Sequence, residues 1–254
     1  MDEVLTVLIE AVREAGAAIV GLREKGVTLA CKENNDLLTH ADLQANQILK
    51  SRLCGAFPEY GWLSEESVDD EARLSCRRVW VVDPIDGTRE YVAGLPEYVV
   101  SVALVEDGVV ILACVFNPAT RELFSAKKGY GAFLNNTRVR CRSVVDNQLM
   151  LLASRAECER GEWQRFGQEQ VKPVGSIAYK LGLVAAGLAD ATFSLGHKSE
   201  WDVAAGVLLV SEAGGVVTNR CHQPLRFNQN DVLVDGVIAV SACASSRVMA
   251  IIAR

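Results

Sequence analysis

No stretch of this chain is apolar for long enough to cross a bilayer: the longest uninterrupted run, Val109 to Phe116, is far short of the ~20 residues a membrane helix needs. A secretory leader is not expected either. The sequence begins Met1-Asp2-Glu3 and runs into an amphipathic pattern instead of a basic segment and an apolar stretch, so a cytoplasmic protein with no membrane partner is expected. Cysteine pairs of the zinc or redox type are absent, because Cys31, Cys54, Cys76, Cys114, Cys141, Cys158, Cys221 and Cys243 include no two at the required spacing. They read as mostly buried thiols in a reducing cytoplasm, with disulfides as the alternative. A basic excess is also lacking. The 26 Lys and Arg against 32 Asp and Glu give a net charge of −6, which excludes a general nucleic-acid backbone binder and leaves no nucleic acid polymer among the expected partners.

What is present is an ordinary globular composition, 50% hydrophobic and 23% charged, over 254 residues. That length allows one large domain or two subdomains sharing an interface. Val4, Leu8, Ala11, Ala15, Ile19 and Leu22 recur at spacings of three and four, which predicts an amphipathic helix stopping at Gly26. A second helix is expected from Asp42 to Leu53, ended by Pro58 and Gly61. Short β-rich runs follow: Gly61 to Ser64, Arg78 to Asp83, Tyr98 to Val105, Val109 to Phe116, Arg121 to Ser125 and Gly131 to Phe133. Glu106-Asp107-Gly108, Asn117-Pro118 and Asn135-Asn136 link them as turns, so these runs predict an antiparallel sheet.

The second half alternates differently. Strands are expected at Leu149 to Ala153, Ala191 to Leu195 and Val237 to Val240, and helices near Cys158 to Gln168, Ser176 to Ala186, Val203 to Ala213 and Arg247 to Ile252. This predicts an α+β subdomain over residues 1–142 beside an α/β subdomain over 143–254, with the join between Cys141 and Gln148. With no Pro-, Gly- or Ser-rich linker, low-complexity segment or repeat, the two should form one rigid body.

The densest chemistry lies in Val79-Trp80-Val81-Val82-Asp83-Pro84-Ile85-Asp86-Gly87-Thr88. An apolar run delivers Asp83 to a strand end, where Pro84 is expected to terminate the ladder. Asp83 and Asp86 bracket the turn, and Gly87 permits close approach of the backbone to a ligand. A helix beginning after Gly87 would add free N–H groups, making an anion site beside two carboxylates. That arrangement is repulsive unless a cation sits between, and hard ions such as Mg²⁺ commonly bridge carboxylates to a phosphate. Glu65-Glu66 after the first strand, and Asp202 in Ser199-Glu200-Trp201-Asp202-Val203-Ala204-Ala205-Gly206, fit the same site; Gly206 would let that helix pack closely. Taken singly, these are a turn, a helix cap and a solvated acidic pair.

In this order the segments resemble the inositol monophosphatase superfamily of metal-dependent, lithium-sensitive phosphatases, which also includes bisphosphate nucleotidases and fructose bisphosphatases. The family pattern of an acidic pair, Asp-Pro-x-Asp-Gly-Thr and Trp-Asp-x-Ala-Gly is met by Glu65-Glu66, Asp83 to Thr88 and, as a close variant, Trp201 to Gly206. The resemblance extends to Lys32, Asp36, Thr39 and Asp42, to Lys128-Gly129-Tyr130-Gly131-Ala132-Phe133, and to Gly175-Ser176, Ala189-Asp190 and Ala213-Gly214-Gly215. It implies a layered αβαβα sandwich, commonly homodimeric. It further implies that Glu65, Asp83, the Ile85 carbonyl, Asp86 and Asp202 hold two or three Mg²⁺ ions. Gly87 and Thr88 would offer N–H groups to the phosphate, and Thr88 would help activate the attacking water with Asp36 or Glu65 as its acidic partner. His40, His197 and His222 lie outside the matched motifs and read as surface or loop residues.

The expected partner is a small phosphorylated metabolite. Thr88-Arg89-Glu90-Tyr91 and Ser199-Glu200-Trp201-Asp202 are similar to the 3′(2′),5′-bisphosphate nucleotidase branch, which removes the 3′-phosphate of adenosine 3′,5′-bisphosphate. The inositol-specific branch usually has a substrate-contacting glutamate where Ser194 stands here. Inositol monophosphates and other sugar phosphates, fructose 1,6-bisphosphate included, are the alternative. Lys180 and Lys198 are either cationic partners for a second phosphate or ordinary surface lysines, and Gly175-Ser176 joins Lys198 on the substrate side. A non-catalytic sensor or scaffold would have lost a ligand or the threonine, and all are kept. A dinucleotide site at Gly129-Tyr130-Gly131 is excluded because that segment lies in a hairpin.

Overall fold

In the Arg78–Asp86 strand, Val79 and Val81 turn to one side and Trp80 and Val82 to the other, and all four are buried. A strand apolar on both faces needs a layer on each side. The computed structural model, which describes residues 3–26, 29–31 and 37–253, supplies both. Its α-helices among those residues are α1 (Glu3–Glu24), α2 (His40–Ala56), α3 (Thr88–Ala93), α4 (Arg155–Glu159), α5 (Ile177–Ala185), α6 (Glu200–Glu212) and α7 (Ser245–Ile252).

Helices α1 and α2 lay Leu8, Val12, Ile19, Leu49 and Leu53 on Trp80, Val82, Val102 and Leu104 of a seven-stranded sheet. Its strand order follows the chain: Gly61–Ser64, Arg78–Asp86, Val99–Glu106, Val109–Asn117, Glu122–Lys127, Gly131–Leu134, Thr137–Val139. On its other face lie α5 and α6, whose Ala178, Leu181, Val203 and Leu209 share a core with Val79, Val81, Ala103 and Phe124. Leu152, Val237 and Ala239 of a five-stranded sheet close that core from beyond. The second sheet runs Gln170–Pro173, Met150–Ala153, Ala191–Ser194, Val237–Ser241, Gly215–Thr218, and its far face packs Leu151, Phe193 and Val240 against Trp163, Phe166 and Val248 of α7. The layers are αβαβα, as the family resemblance implies.

Several local expectations need correction. Gly61–Ser64 pairs parallel to Arg78–Asp86, so the first sheet is not wholly antiparallel. Pro84 interrupts the ladder without ending it: pairing shifts after Asp83↔Ser101 and resumes at Asp86↔Val99, leaving the proline in a bulge where no ladder N–H is required. The helix expected near Cys158 to Gln168 starts and ends earlier, because Ser154 and Glu157 form a capping box and Gly161 (φ 76°) turns the chain away, leaving a 3₁₀ turn at Gln164–Phe166. Cys54, Cys76, Cys114, Cys141, Cys158, Cys221 and Cys243 are free thiols, and of these only Cys114 and Cys141 are buried; Cys54, Cys76 and Cys158 are partly exposed and Cys221 and Cys243 exposed. The hairpin turns agree with their residues, Asp107-Gly108 and Asn135-Asn136 each taking two successive positive φ values. His40, His197 and His222 are exposed, and none of the described helices is long and apolar enough to cross a membrane.

Gly206 brings α6 onto α5. A Cβ at that position would lie 2.3 Å from Leu181 Cδ1 and 2.5 Å from Leu181 Cβ. Gly206→Ala should therefore lower stability by about 1–3 kcal/mol through overpacking. Gly21→Ala in α1, with nothing within 4 Å of the added methyl, should raise it by up to about 1 kcal/mol through helix propensity. Urea unfolding of the two variants beside the wild type checks both signs.

Candidate active site

The parallel pairing of Ser64 with Val82 brings the end of one strand beside the bulge of the other, so Glu65 and Asp83 emerge as neighbours. Glu65 N–H donates to the Val82 carbonyl (3.2 Å), and Asp83 Oδ1 accepts the N–H of Ile85 (3.0 Å), folding the chain tightly round the bulge. Asp86 is held by the first turn of α5, where its Oδ2 accepts Ser176 Oγ–H and Ala178 N–H, each at 2.6 Å. Asp202 comes from the first turn of α6 and accepts Ser199 N–H at 3.0 Å in a capping box. All four carboxylates line one cleft of about 500 Å³.

Burial, and after it the neighbouring negative charges, raise the pKa values of Asp83, Asp86 and Asp202. Burial pushes Asp83 well above the usual carboxylate range, and the charges of Glu65, Asp86, Asp202 and Asp42 add to the effect. Burial also raises Asp86, against the hydrogen bonds from Ser176 and Ala178 and the charge of Lys180. Asp202 is pushed up to about 8, first by burial and then by Asp86 and Glu65. Among the described residues, no group of three His, Cys, Asp or Glu side chains by itself forms a cation cage. Mg²⁺ keeps several waters and is usually bound through one or two carboxylates plus substrate phosphate oxygens. The donor set is entirely hard oxygen, and the mutual repulsion within it is what a divalent cation relieves.

Gly87 adopts φ 99° and caps the short helix α3. A Cβ there would stand 2.7 Å from the Glu97 carbonyl oxygen, so the glycine is demanded by the protein's own backbone. Next to it, the Thr88 hydroxyl has two acceptors within reach, the Ile85 carbonyl at 3.0 Å and Asp42 Oδ1 at 3.2 Å. Asp42 is 1% exposed, and its other oxygen accepts Thr39 N–H (2.8 Å) and Thr39 Oγ–H (2.6 Å). Among the described residues, the carboxylate that Thr88 reaches is that of Asp42; the sequence reading looks to Asp36 or Glu65 as its acidic partner. Lys32 and Asp36 lie outside the described residues.

Across the cleft the wall is mixed in charge. Gly175 and Ser176 border it, but Gly175 N–H donates to Glu97 Oε2 (2.7 Å) and the Ser176 hydroxyl to Asp86. Lys198 is half-buried at the cleft edge. Lys180 is no surface lysine: every residue of α5 is buried, and Lys180 is 4% exposed with its side chain on the cleft. Beside it stands Glu157, which sequence reasoning missed. Its Oε1 accepts the Ser194 hydroxyl and its Oε2 the Trp163 indole N–H, each at 3.1 Å. Burial works to raise the Glu157 pKa, but the Trp163 hydrogen bond, the Lys180 charge and Ser194 outweigh it and hold the carboxyl below its ordinary value.

A layered αβαβα sandwich with an acid-lined cleft at the end of an Asp-Pro-Ile-Asp-Gly-Thr strand is the architecture of a metal-dependent phosphatase. The chain belongs to the inositol monophosphatase family, whose model matches residues 1–252. It is similar to the Nus factor SuhB of Xylella fastidiosa, 38% identical over 225 residues that cover 84% of this chain and 80% of the relative. The 3′(2′),5′-bisphosphate nucleotidase CysQ of Aggregatibacter actinomycetemcomitans is 30% identical over 238 residues, covering 90% of this chain and 88% of that protein. The solved structure of a Thermotoga maritima IMPase superposes with a TM-score of 0.86 at 27% identity, covering 99% of this chain and 96% of that one. Members of this family are metal-dependent phosphatases, typically using Mg²⁺.

Proposed function

We propose that this protein is a Mg²⁺-dependent phosphomonoesterase that hydrolyses a small phosphorylated metabolite by attack of water. The observation that carries this reading is the convergence of Glu65, Asp83, Asp86 and Asp202 on one cleft beside the Thr88–Asp42 pair. Glu65, Asp83, the Ile85 carbonyl, Asp86 and Asp202 would hold two or three ions. When bound there, Mg²⁺ supplies Lewis acidity that polarises a phosphoryl oxygen and makes a water easier to deprotonate.

The rest falls to the chain itself. The Thr88 hydroxyl carries one proton for two acceptors. Directed to Asp42, that proton would leave the Thr88 oxygen free to accept from the attacking water and hold it in line. Gly87 and Thr88 present first-turn N–H groups to phosphate oxygens. Gly175 and Ser176, whose donors are turned to Glu97 and Asp86, position those carboxylates.

Two substrate classes fit. The 3′-phosphate of adenosine 3′,5′-bisphosphate is supported by two lysines on the cleft and by the likeness to CysQ. Inositol-type monophosphates are supported by the likeness to the IMPase structure and by Glu157, whose ionised carboxyl beside Lys180 disfavours a second phosphate, and this is the better supported of the two. Phosphate release from a panel of both classes should appear with Mg²⁺ and vanish with EDTA. Absence of release from every ester in Mg²⁺ would leave a phosphometabolite-binding role in its place.

A further inference from the structure

We infer that Asn46 is a positioning residue for Glu65: its side-chain amide fixes the turn that carries this carboxylate and so sets the protein's affinity for Mg²⁺. This rests on the phosphatase reading above and goes beyond it to a residue that does not line the cleft.

Ser64 to Ser67 form a turn closed by Ser67 N–H on the Ser64 carbonyl (3.3 Å), and Glu65 stands at its first central position. Asn46, 9% exposed on α2, spans that turn. Its Oδ1 accepts the Ser64 hydroxyl at 2.8 Å, on one side of Glu65. On the other side its Nδ2 donates to the Glu66 carbonyl at 3.2 Å and to Ser67 Oγ at 3.1 Å. Ser64 Oγ in turn accepts Glu66 N–H (3.3 Å), and Ser67 Oγ accepts the Trp62 indole N–H (3.2 Å). One amide thus holds both ends of the segment, with its two donors and its acceptor all used.

The buried residues of α2 are Ala41, Asp42, Ala45, Asn46, Leu49 and Leu53. Four of them are apolar and join the core. An asparagine inside a helix gives up propensity and must be desolvated, which packing alone does not require. The two polar residues are four apart, one above the other on the same helix face. Asp42 reaches Thr88, and Asn46 reaches the Glu65 turn. One helix therefore sets the position of the residue that would orient the attacking water against that of a carboxylate that would hold the ion. Binding constellations need their groups held within about 0.5 Å, and a carboxylate at the apex of a turn is placed no better than the turn itself.

Calorimetric titration with Mg²⁺ alone reads the effect without substrate. Asn46→Ala should raise the Mg²⁺ dissociation constant about tenfold or more, the usual cost of removing a group that orients a metal ligand. Ser67→Ala, which removes one of the amide's three bonds, should raise it less. Leu53→Ala, about two helical turns further along α2, should lower the urea midpoint at least as much as Asn46→Ala and leave the Mg²⁺ constant unchanged. In phosphate release, Asn46→Ala should need more Mg²⁺ for half-maximal rate by the same factor and regain most of the rate at saturating Mg²⁺, a split that general loss of structure would not produce. Unchanged Mg²⁺ binding in Asn46→Ala, or an equal loss in Leu53→Ala, overturns the inference. If Asn46→Ala does not fold, Ser67→Ala decides, and an unchanged constant there overturns it. A wild type that binds Mg²⁺ but releases no phosphate removes the phosphatase reading and leaves Asn46 to be judged by the dissociation constants; a wild type that binds no Mg²⁺ overturns both.

Discussion

Asp86→Asn is expected to lower phosphate release by about 10²–10³-fold, the effect of removing one preorganised electrostatic group from an active site, while the folded state is kept or even strengthened. Asp86 Oδ2 takes both local hydrogen bonds, from Ser176 and Ala178, and the amide oxygen of asparagine can take the same two. What disappears is a negative charge that burial already disfavours and that stands against Glu65. In EDTA, then, the variant should unfold at equal or higher urea than the wild type. In Mg²⁺ the wild type should gain stability, as any ligand that binds only the folded state confers, and the variant should gain far less. Turnover within tenfold of the wild type would show that Asp86 is not a cation ligand.

The fold was readable wherever a periodic pattern is local. Val79 to Val82 alternates between two cores, α1 and α2 carry regular stripes, and Asp107-Gly108 and Asn135-Asn136 name their own turns. Among the strands that escaped notice, Thr137–Val139, Gln170–Pro173 and Gly215–Thr218 lie at the edges of the two large sheets. Edge strands pair on one side only and need few apolar residues, so Gln170-Val171-Lys172-Pro173 carries little signal. The parallel pairing of the first two strands was hidden for another reason, since direction is set by how the long connection crosses and not by either strand's residues.

At the site, Asp83, Asp86 and Asp202 were legible as a motif, whereas the role of Asp42, named only within the resemblance, and Glu157 itself were disguised as caps. Thr39 with Asp42, Ser154 with Glu157 and Ser199 with Asp202 each form a capping box. Such a residue reads as helix punctuation, which it is. A carboxylate has two oxygens, however, and in Asp42 the one not spent on the cap faces Thr88. Three helix starts thus serve the cleft: Glu157 and Asp202 line it, and Asp42 reaches Thr88 on its wall. Ser194 shows the converse: reading that position alone finds no carboxylate, yet Glu157, 37 residues earlier, comes to its hydroxyl.

Thr88→Ala should lower kcat by about 10²-fold or more, the usual worth of a positioned proton-handling group, with little change in KM and little in stability, because the hydroxyl serves the attacking water and not the bound ester. Thr88→Ser, which keeps the hydroxyl, should recover most of that rate. Asp42→Asn should lose rate to a similar degree and also destabilise the protein, by about 0.5–2 kcal/mol, because the same carboxylate closes the Thr39 cap of α2. The decisive measurement is the double variant. If Thr88 and Asp42 act as one proton-holding unit through their 3.2 Å contact, removing both should cost no more rate than removing either, while the stability loss remains that of Asp42→Asn alone. Rate losses that multiply in the double variant would mean that the two side chains serve separate steps, and that Thr88 gives its proton to the Ile85 carbonyl instead.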